Sequence, residues 1–175
     1  DKDYVQLIGD KTMQLNEKVL HLLDSTKDEI VHSAEEMRLI DTKTYFEEIC
    51  EQLNLLSKKN KSKLKISKIP SKNIRISPSQ IERVIQNIVS NALKYSKKNP
   101  KINISFSATH KDFVIKIKDT GIGISKEDLP FIFNQFYKAD KARTDESSNG
   151  IGLFTVKNIV EAHGGSITVK SKVNK

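Results

Sequence analysis

Val114-Ile115-Lys116-Ile117 alternates in the manner of a half-buried strand and runs straight into Asp119-Thr120-Gly121-Ile122-Gly123. A strand that ends on a carboxylate followed by two glycines predicts a sheet whose end lies open to a ligand, because glycine permits close backbone approach. Upstream, a predicted helix carries Asn87, Asn91 and Tyr95 at i, i+4 and i+8, hence on one face, with Lys94 beside them. Downstream, Asn149-Gly150-Ile151-Gly152-Leu153 opens another helix, whose N-terminal amides and dipole suit phosphate. Together the three segments describe a nucleotide pocket. The signature G-x-x-x-x-G-K-[ST] does not occur, so the pocket is not of the common phosphate-loop kind.

Other elements follow from periodicity and turn chemistry. Over residues 3–27, Val5, Ile8, Thr12, Leu15, Val19 and Leu22 step by three and four, an a/d seam that calls for a partner helix. A helix folding back on its own domain is the alternative. Residues 29–35 read as a polar linker. A short strand is predicted at 36–40, then a helix from Asp41 or Thr44, with Thr44 and Glu47 as a capping-box pair. Strands follow at 64–69 and 74–76, and Ser77-Pro78 starts the helix of the asparagine row, with Ser77 as N-cap. Its apolar stripe is Ile81, Val84, Ile85, Ile88 and Ala92. Strands at 101–107 and 113–118, a short helix after the glycine turn, a polar stretch from Lys138 to Asn149, a helix, and a last strand at 166–171 complete the chain. The order is that of an α+β fold, a two-layer sandwich with helices on one face of a mixed sheet.

Composition narrows the function classes. A chain of 175 residues predicts one domain with an appendage, and no apolar run reaches the ~18 residues of a membrane span. Cys50 is the sole cysteine, which excludes a disulfide framework; among apolar neighbours it reads as a buried structural thiol. The net charge of +8 raises nucleic acid or an anionic membrane as partners. The lysines are spread along the chain, however, and the densest run, at 58–63, has no interleaved aromatics to stack on bases. A solvated basic surface is the preferred reading, and nucleic acid is not an expected partner.

The ordered segments resemble those of sensor histidine kinases. Gln86 to Ser96 is similar to the family's N box, Asp119 to Ile124 to its G1 box, Leu129 to Tyr137 to its F box, and Asn149 to Leu153 to its G2 box. Val160-Glu161-Ala162-His163-Gly164-Gly165 matches the segment that follows, and the likeness runs from about residue 36 to the end. It implies the Bergerat-type ATP-binding fold over residues 36–175, with its last strand cut short, preceded over residues 1–28 by the second helix of a dimerisation hairpin. ATP and Mg²⁺ are the implied cofactors. A response regulator is the implied partner, with homodimerisation through the hairpin in the intact protein. The domain would be cytoplasmic, and the membrane would enter only through segments of an anchored parent.

Carried over residue by residue, the resemblance implies that Asp119 accepts a hydrogen bond from the exocyclic amine of adenine, with Gly121 and Gly123 allowing the approach. Asn87 and Asn91 would offer amide oxygens to Mg²⁺, a hard cation suited to oxygen ligands. Lys94 would pair with phosphate and Tyr95 would pack near the base or ribose. Lys138 stands where the family often has Arg and would meet the γ-phosphate as a point charge. Gly150, Gly152 and Leu153 would receive the phosphates, with Lys138–Asn149 as a lid. None of the four histidines stands in a context like His-Glu-Leu-Arg-Thr-Pro, the family's phosphoacceptor pattern, so the acceptor is expected outside this chain. His163 reads as a structural residue capping helix carbonyls.

Two other readings stay open at this stage. An ATP-driven conformational switch of the gyrase, mismatch-repair or chaperone type shares the pocket, but those proteins resemble one another in a Glu at the position of Asn87. An amide cannot take the proton of a hydrolytic water. A module that only holds nucleotide, or only docks proteins, is the third.

Overall fold

Alternation of small strands with apolar-striped helices produces the two layers anticipated. The computed structural model describes residues 37–96, 99–139 and 150–173. The helix expected over residues 3–27, the linker at 29–35, and residues 140–149, which make up most of the expected lid and include Asn149, lie outside the described residues. All described residues belong to one compact unit beginning at Met37.

Strand β1 (Arg38–Asp41) leads directly into helix α1 (Thr42–Lys59). Asp41, not a Thr44–Glu47 box, caps that helix: the Thr44 N–H donates to Asp41 Oδ1 at 3.0 Å. The Asp side chain reaches the amide of N3 from the capping position, which starts the helix three residues earlier than a Thr44 cap would. Hydrogen bonds from Ser71 and Thr44 hold the Asp41 carboxyl below the usual carboxylate range. Next come β2 (Lys63–Ile66), β3 (Asn73–Ile76), and helix α2 (Pro78–Lys94), which bears the asparagine row. Strands β4 (Lys101–Ala108) and β5 (Phe113–Asp119) form a hairpin, and helix α3 (Gly152–Ala162) follows the glycine-rich segments.

The strands make two sheets. β1 and β3 pair antiparallel. β2, β4 and β5 form a mixed sheet in that order, with β2 parallel to β4 and β4 antiparallel to β5. Alternation sends Ile102, Ile104 and Phe106 of β4 inward, where they meet Phe46, Ile49 and Leu53 of α1 and Ile85, Val89 and Ala92 of α2. Phe46 stacks on Phe113 with ring centroids 5.3 Å apart and sits 5.2 Å from Phe106. Val89 rather than Ile88 completes the α2 stripe; Ile88 is only half-buried. Tyr45 of α1 donates its hydroxyl to the Pro78 carbonyl and so ties α1 to the first turn of α2. Burial, with the nearby Glu82 charge, pushes the Tyr45 phenol well above its ordinary pKa.

Three expectations are corrected. Between β5 and the polar stretch, residues 126–133 form successive turns and no helix; the Ser125 and Asp128 side chains bond within the segment and take up its donors locally. Strand β2 ends at Ile66 instead of residue 69, because the Ser67 N–H still reaches the Ile104 carbonyl but Ile69 turns into the core. Residues 166–173 form no strand. Their segment attaches instead to the glycine turn, where the Ile124 N–H donates to Ser171 Oγ at 2.8 Å. Among the described residues β5 is therefore a sheet edge.

Candidate nucleotide-binding site

Alternation along β5 decides where Asp119 stands. Ile115 and Ile117 face the helices and Lys116 and Lys118 face away, so Asp119 shares the helical side of the sheet with α2. The chain then folds into a tight turn held by the carboxylate itself: the Gly121 N–H donates to Asp119 Oδ1 at 2.7 Å. The next amide, of Ile122, donates to the Tyr95 carbonyl at 2.9 Å. One side chain and one backbone bond thus fix the β5 turn against the C-terminal end of α2. A Cβ at Gly121 would stand 2.7 Å from Asp119 Oδ1 and 2.9 Å from the Tyr95 carbonyl oxygen, so only glycine allows the turn to close on both.

On α2, Asn87, Asn91, Lys94 and Tyr95 are all half-buried, neither in the core with Val84, Ile85 and Val89 nor fully in solvent. The Lys94 ammonium lies 5.8 Å from the centroid of the Tyr95 ring. The N-terminus of α3 meets the start of this row, at Asn87. A Cβ built on Gly152 would lie 3.5 Å from Asn87 Oδ1, with nothing else but Asn87 Cγ within 4 Å. The first turn of α3, with its outward amides, therefore opens beside an amide oxygen of α2. That cradle, which one methyl group would begin to fill, suits an anionic group carrying a divalent cation.

The remaining predicted residues divide. Leu153 and Lys138 are half-buried, at the start of α3 and just past the F-box turn. Gly150 has φ +67° and packs on Phe136, whose N–H donates to the Gly150 carbonyl at 3.1 Å; its lack of a side chain is explained by that contact. Gly123, with φ +77°, lies under the Lys172 carbonyl oxygen, 2.1 Å from where a Cβ would stand. Its permissiveness likewise serves a chain crossing. Asp128 organises the F-box turn by accepting from Tyr137 Oη at 2.6 Å and Ser125 Oγ at 2.7 Å.

Sequence reasoning missed what holds α2 to α3. His163, at the end of α3, donates from Nδ1 to the Ile159 carbonyl at 2.7 Å, and its Nε2 accepts the Ser77 N–H at 3.0 Å. The first bond is the carbonyl cap anticipated for it. The second joins residues 86 apart and no local signal announces it. The N-cap residue Ser77 makes no side-chain capping bond.

Residues 76–175, more than half of the chain, match the family described as histidine kinase-, DNA gyrase B-, and HSP90-like ATPase. The chain belongs to this family. It is 36% identical over 162 residues to the signal transduction histidine-protein kinase ArlS of Staphylococcus haemolyticus, covering 92% of this chain and 36% of that protein. The chain thus spans about a third of that relative's length. Among solved structures, the Acinetobacter baumannii histidine kinase AdeS superposes with a TM-score of 0.63 at 23% identity, over 90% of this chain and 74% of that one. A mycobacterial sensor histidine kinase, MprB, gives 0.60 at 20% identity, over 73% and 80%. These structures share the Bergerat-type fold with the present chain.

Proposed function

We propose that this domain supplies the ATP-binding, catalytic half of a two-component sensor histidine kinase, passing the γ-phosphoryl of ATP to a histidine on another segment and thence to an aspartate of a response regulator. The similarity to histidine kinases over nearly the whole chain supports this reading. The observation that carries it is the meeting of Gly152 with Asn87 Oδ1. Phosphoryl transfer asks the protein for positioning and charge neutralisation and for little covalent chemistry. The α3 amides would hold phosphate oxygens, and Lys94 and Lys138 would add positive charge. Asn87 and Asn91 would hold Mg²⁺, which supplies charge neutralisation when bound. Asp119, fixed by the Gly121 amide, would select adenine, and Tyr95 would pack beside the base or ribose.

The attacking imidazole nitrogen would form its bond to phosphorus as the bond to the β–γ bridging oxygen breaks, leaving ADP. Asn87 offers no carboxylate to activate water, which favours transfer over hydrolysis. In the whole protein, the acceptor helix, the dimer and membrane anchoring would come from the helical hairpin and from segments outside these residues.

The test is calorimetric binding of ATP and GTP, with and without Mg²⁺, to this chain and to Asp119→Asn and Asn91→Ala. Preference for ATP should vanish in the first variant and Mg²⁺ dependence should weaken in the second. A folded wild-type chain that binds no nucleotide overturns the proposal.

A further inference from the structure

The positive charge that looked dispersed in the sequence is gathered by the sheet. In the β2-β4-β5 sheet the helices cover one face only, and alternation places Lys63 and Lys65 of β2, Lys101 of β4, and Lys116 and Lys118 of β5 on the other. Register brings them close. Lys63 lies opposite Lys101, and Lys65 and Lys118 flank Asn103 in one row across the three strands. Cross-strand neighbours stand about 5 Å apart and same-face residues about 7 Å apart along a strand. Like charges so placed repel, and no acidic residue occupies an outward position of the three strands to relieve them. Asp119, the nearest carboxylate in β5, belongs to the opposite side. The face is thus separate from the nucleotide site.

We infer that this lysine face docks on an anionic lipid bilayer. Its outward positions are lysine, asparagine and serine, with Val114 as the one large apolar side chain, exposed at the far end of β5. Protein interfaces are depleted in lysine and centre on buried anchors, which this face lacks. Lysine is a hydrated point charge without the fork that reads individual carboxylates or phosphates. The face holds no aromatic platform for single-stranded bases, and a three-stranded sheet does not enter a duplex groove that admits a helix or a two-stranded ribbon. A broad, diffuse sheet of negative charge fits all of these features.

The experiment is co-sedimentation of this chain with vesicles of phosphatidylcholine alone and of phosphatidylcholine mixed with phosphatidylglycerol, at low and high salt. Binding is expected only to the anionic vesicles and is lost in high salt, as screening requires. Each lysine removed should weaken partitioning roughly fivefold, so Lys65→Gln/Lys116→Gln should lose about 25- to 30-fold. The equal charge change Lys58→Gln/Lys59→Gln, at the end of α1, should change it no more than about twofold if the face does the binding. Lys63→Gln/Lys118→Gln replaces the first pair if its thermal melting falls. Absence of binding to anionic vesicles, equal losses in the face and α1 pairs, or preference for a nucleic-acid duplex over vesicles each overturns the inference.

Discussion

Gly152→Ala separates the fold from the site in one substitution. Gly152 is the first residue of α3 and has no left-handed φ, and the added Cβ would meet only Asn87 Oδ1 at 3.5 Å and Cγ at 3.8 Å, ordinary van der Waals distances. Alanine gains up to about 1 kcal/mol over glycine in a helix interior and less at a first position. The variant should therefore melt at the wild-type temperature or slightly above it. The methyl group, however, enters the space between the α3 amides and the Asn87 oxygen. If phosphate and its cation sit there, one charge-assisted contact is lost, worth about 1.5–3 kcal/mol, or roughly 10- to 150-fold in affinity. Calorimetric titration with a Mg²⁺-bound, non-hydrolysable ATP analogue, run beside thermal denaturation, reads both quantities. An unchanged affinity in a stable variant would falsify the placement of the phosphates at this junction. A collapse in melting temperature would refute the geometric reasoning about the helix start.

Gly123→Ala should behave in the opposite way, since its φ of +77° costs a side chain about 1–2 kcal/mol and the Cβ cannot coexist with the Lys172 carbonyl 2.1 Å away. Losing the adjacent Ile124–Ser171 bond as the segment is displaced brings the expected destabilisation to about 2–3 kcal/mol. A urea midpoint equal to wild type would show that residues 166–173 do not rest on this turn. For Cys50, burial first and the Glu47 charge second push the thiol from 9.0 up to about 11. Native alkylation by iodoacetamide should be slow at neutral pH and accelerate toward pH 11, with fast labelling only on unfolding. Because the unfolded thiol ionises near pH 9 and the folded one near 11, the folded state holds the proton more tightly between them. Stability contributed by the neutral thiol is complete below pH 9 and falls as pH rises through that window, by at most about 1.4 kcal/mol per pH unit. A Cys50→Ala variant with the same alkaline slope would refute this assignment.

How legible the protein was in its sequence depended on how far apart the deciding residues lie. The β4–β5 hairpin was readable because Ile102, Ile104 and Phe106 alternate within one strand, and the asparagine row because i, i+4 spacing is a local property of α2. Pairing of β1 with β3 was not, since two four-residue strands 35 positions apart carry too little pattern to specify a partner. The glycines show the same division. Gly121 is explained by Asp119 two residues away, but Gly123 and Gly150 answer to Lys172 and Phe136, which only the folded chain brings near. Lysines at 63, 65, 101, 116 and 118 read as scattered until strand register assembled them.

The asparagine row is held from both ends before any ligand arrives. At the start of α2 the Ser77 N–H is bound by His163 of α3 and the Pro78 carbonyl by Tyr45 of α1; at its end the Tyr95 carbonyl receives the Ile122 N–H of the β5 turn. From Asn87 to Tyr95 the helix rises about 12 Å at 1.5 Å per residue. The carboxylate of Asp119 and the ring of Tyr95 lie at the far end of that span, and the α3 amides lie beside its near end. A ligand that touches both must be long, neutral and donor-bearing at one end and anionic at the other. Adenosine triphosphate has that polarity; on the proposed reading its amine would lie toward Asp119 and its phosphates toward Gly152. Guanine presents an oxygen where adenine presents the amine, and that oxygen would face the carboxylate. On the proposed reading, discrimination between the two purines would follow from the same bond that closes the β5 turn, because the Gly121 amide fixes one oxygen of Asp119 and the second would read the base.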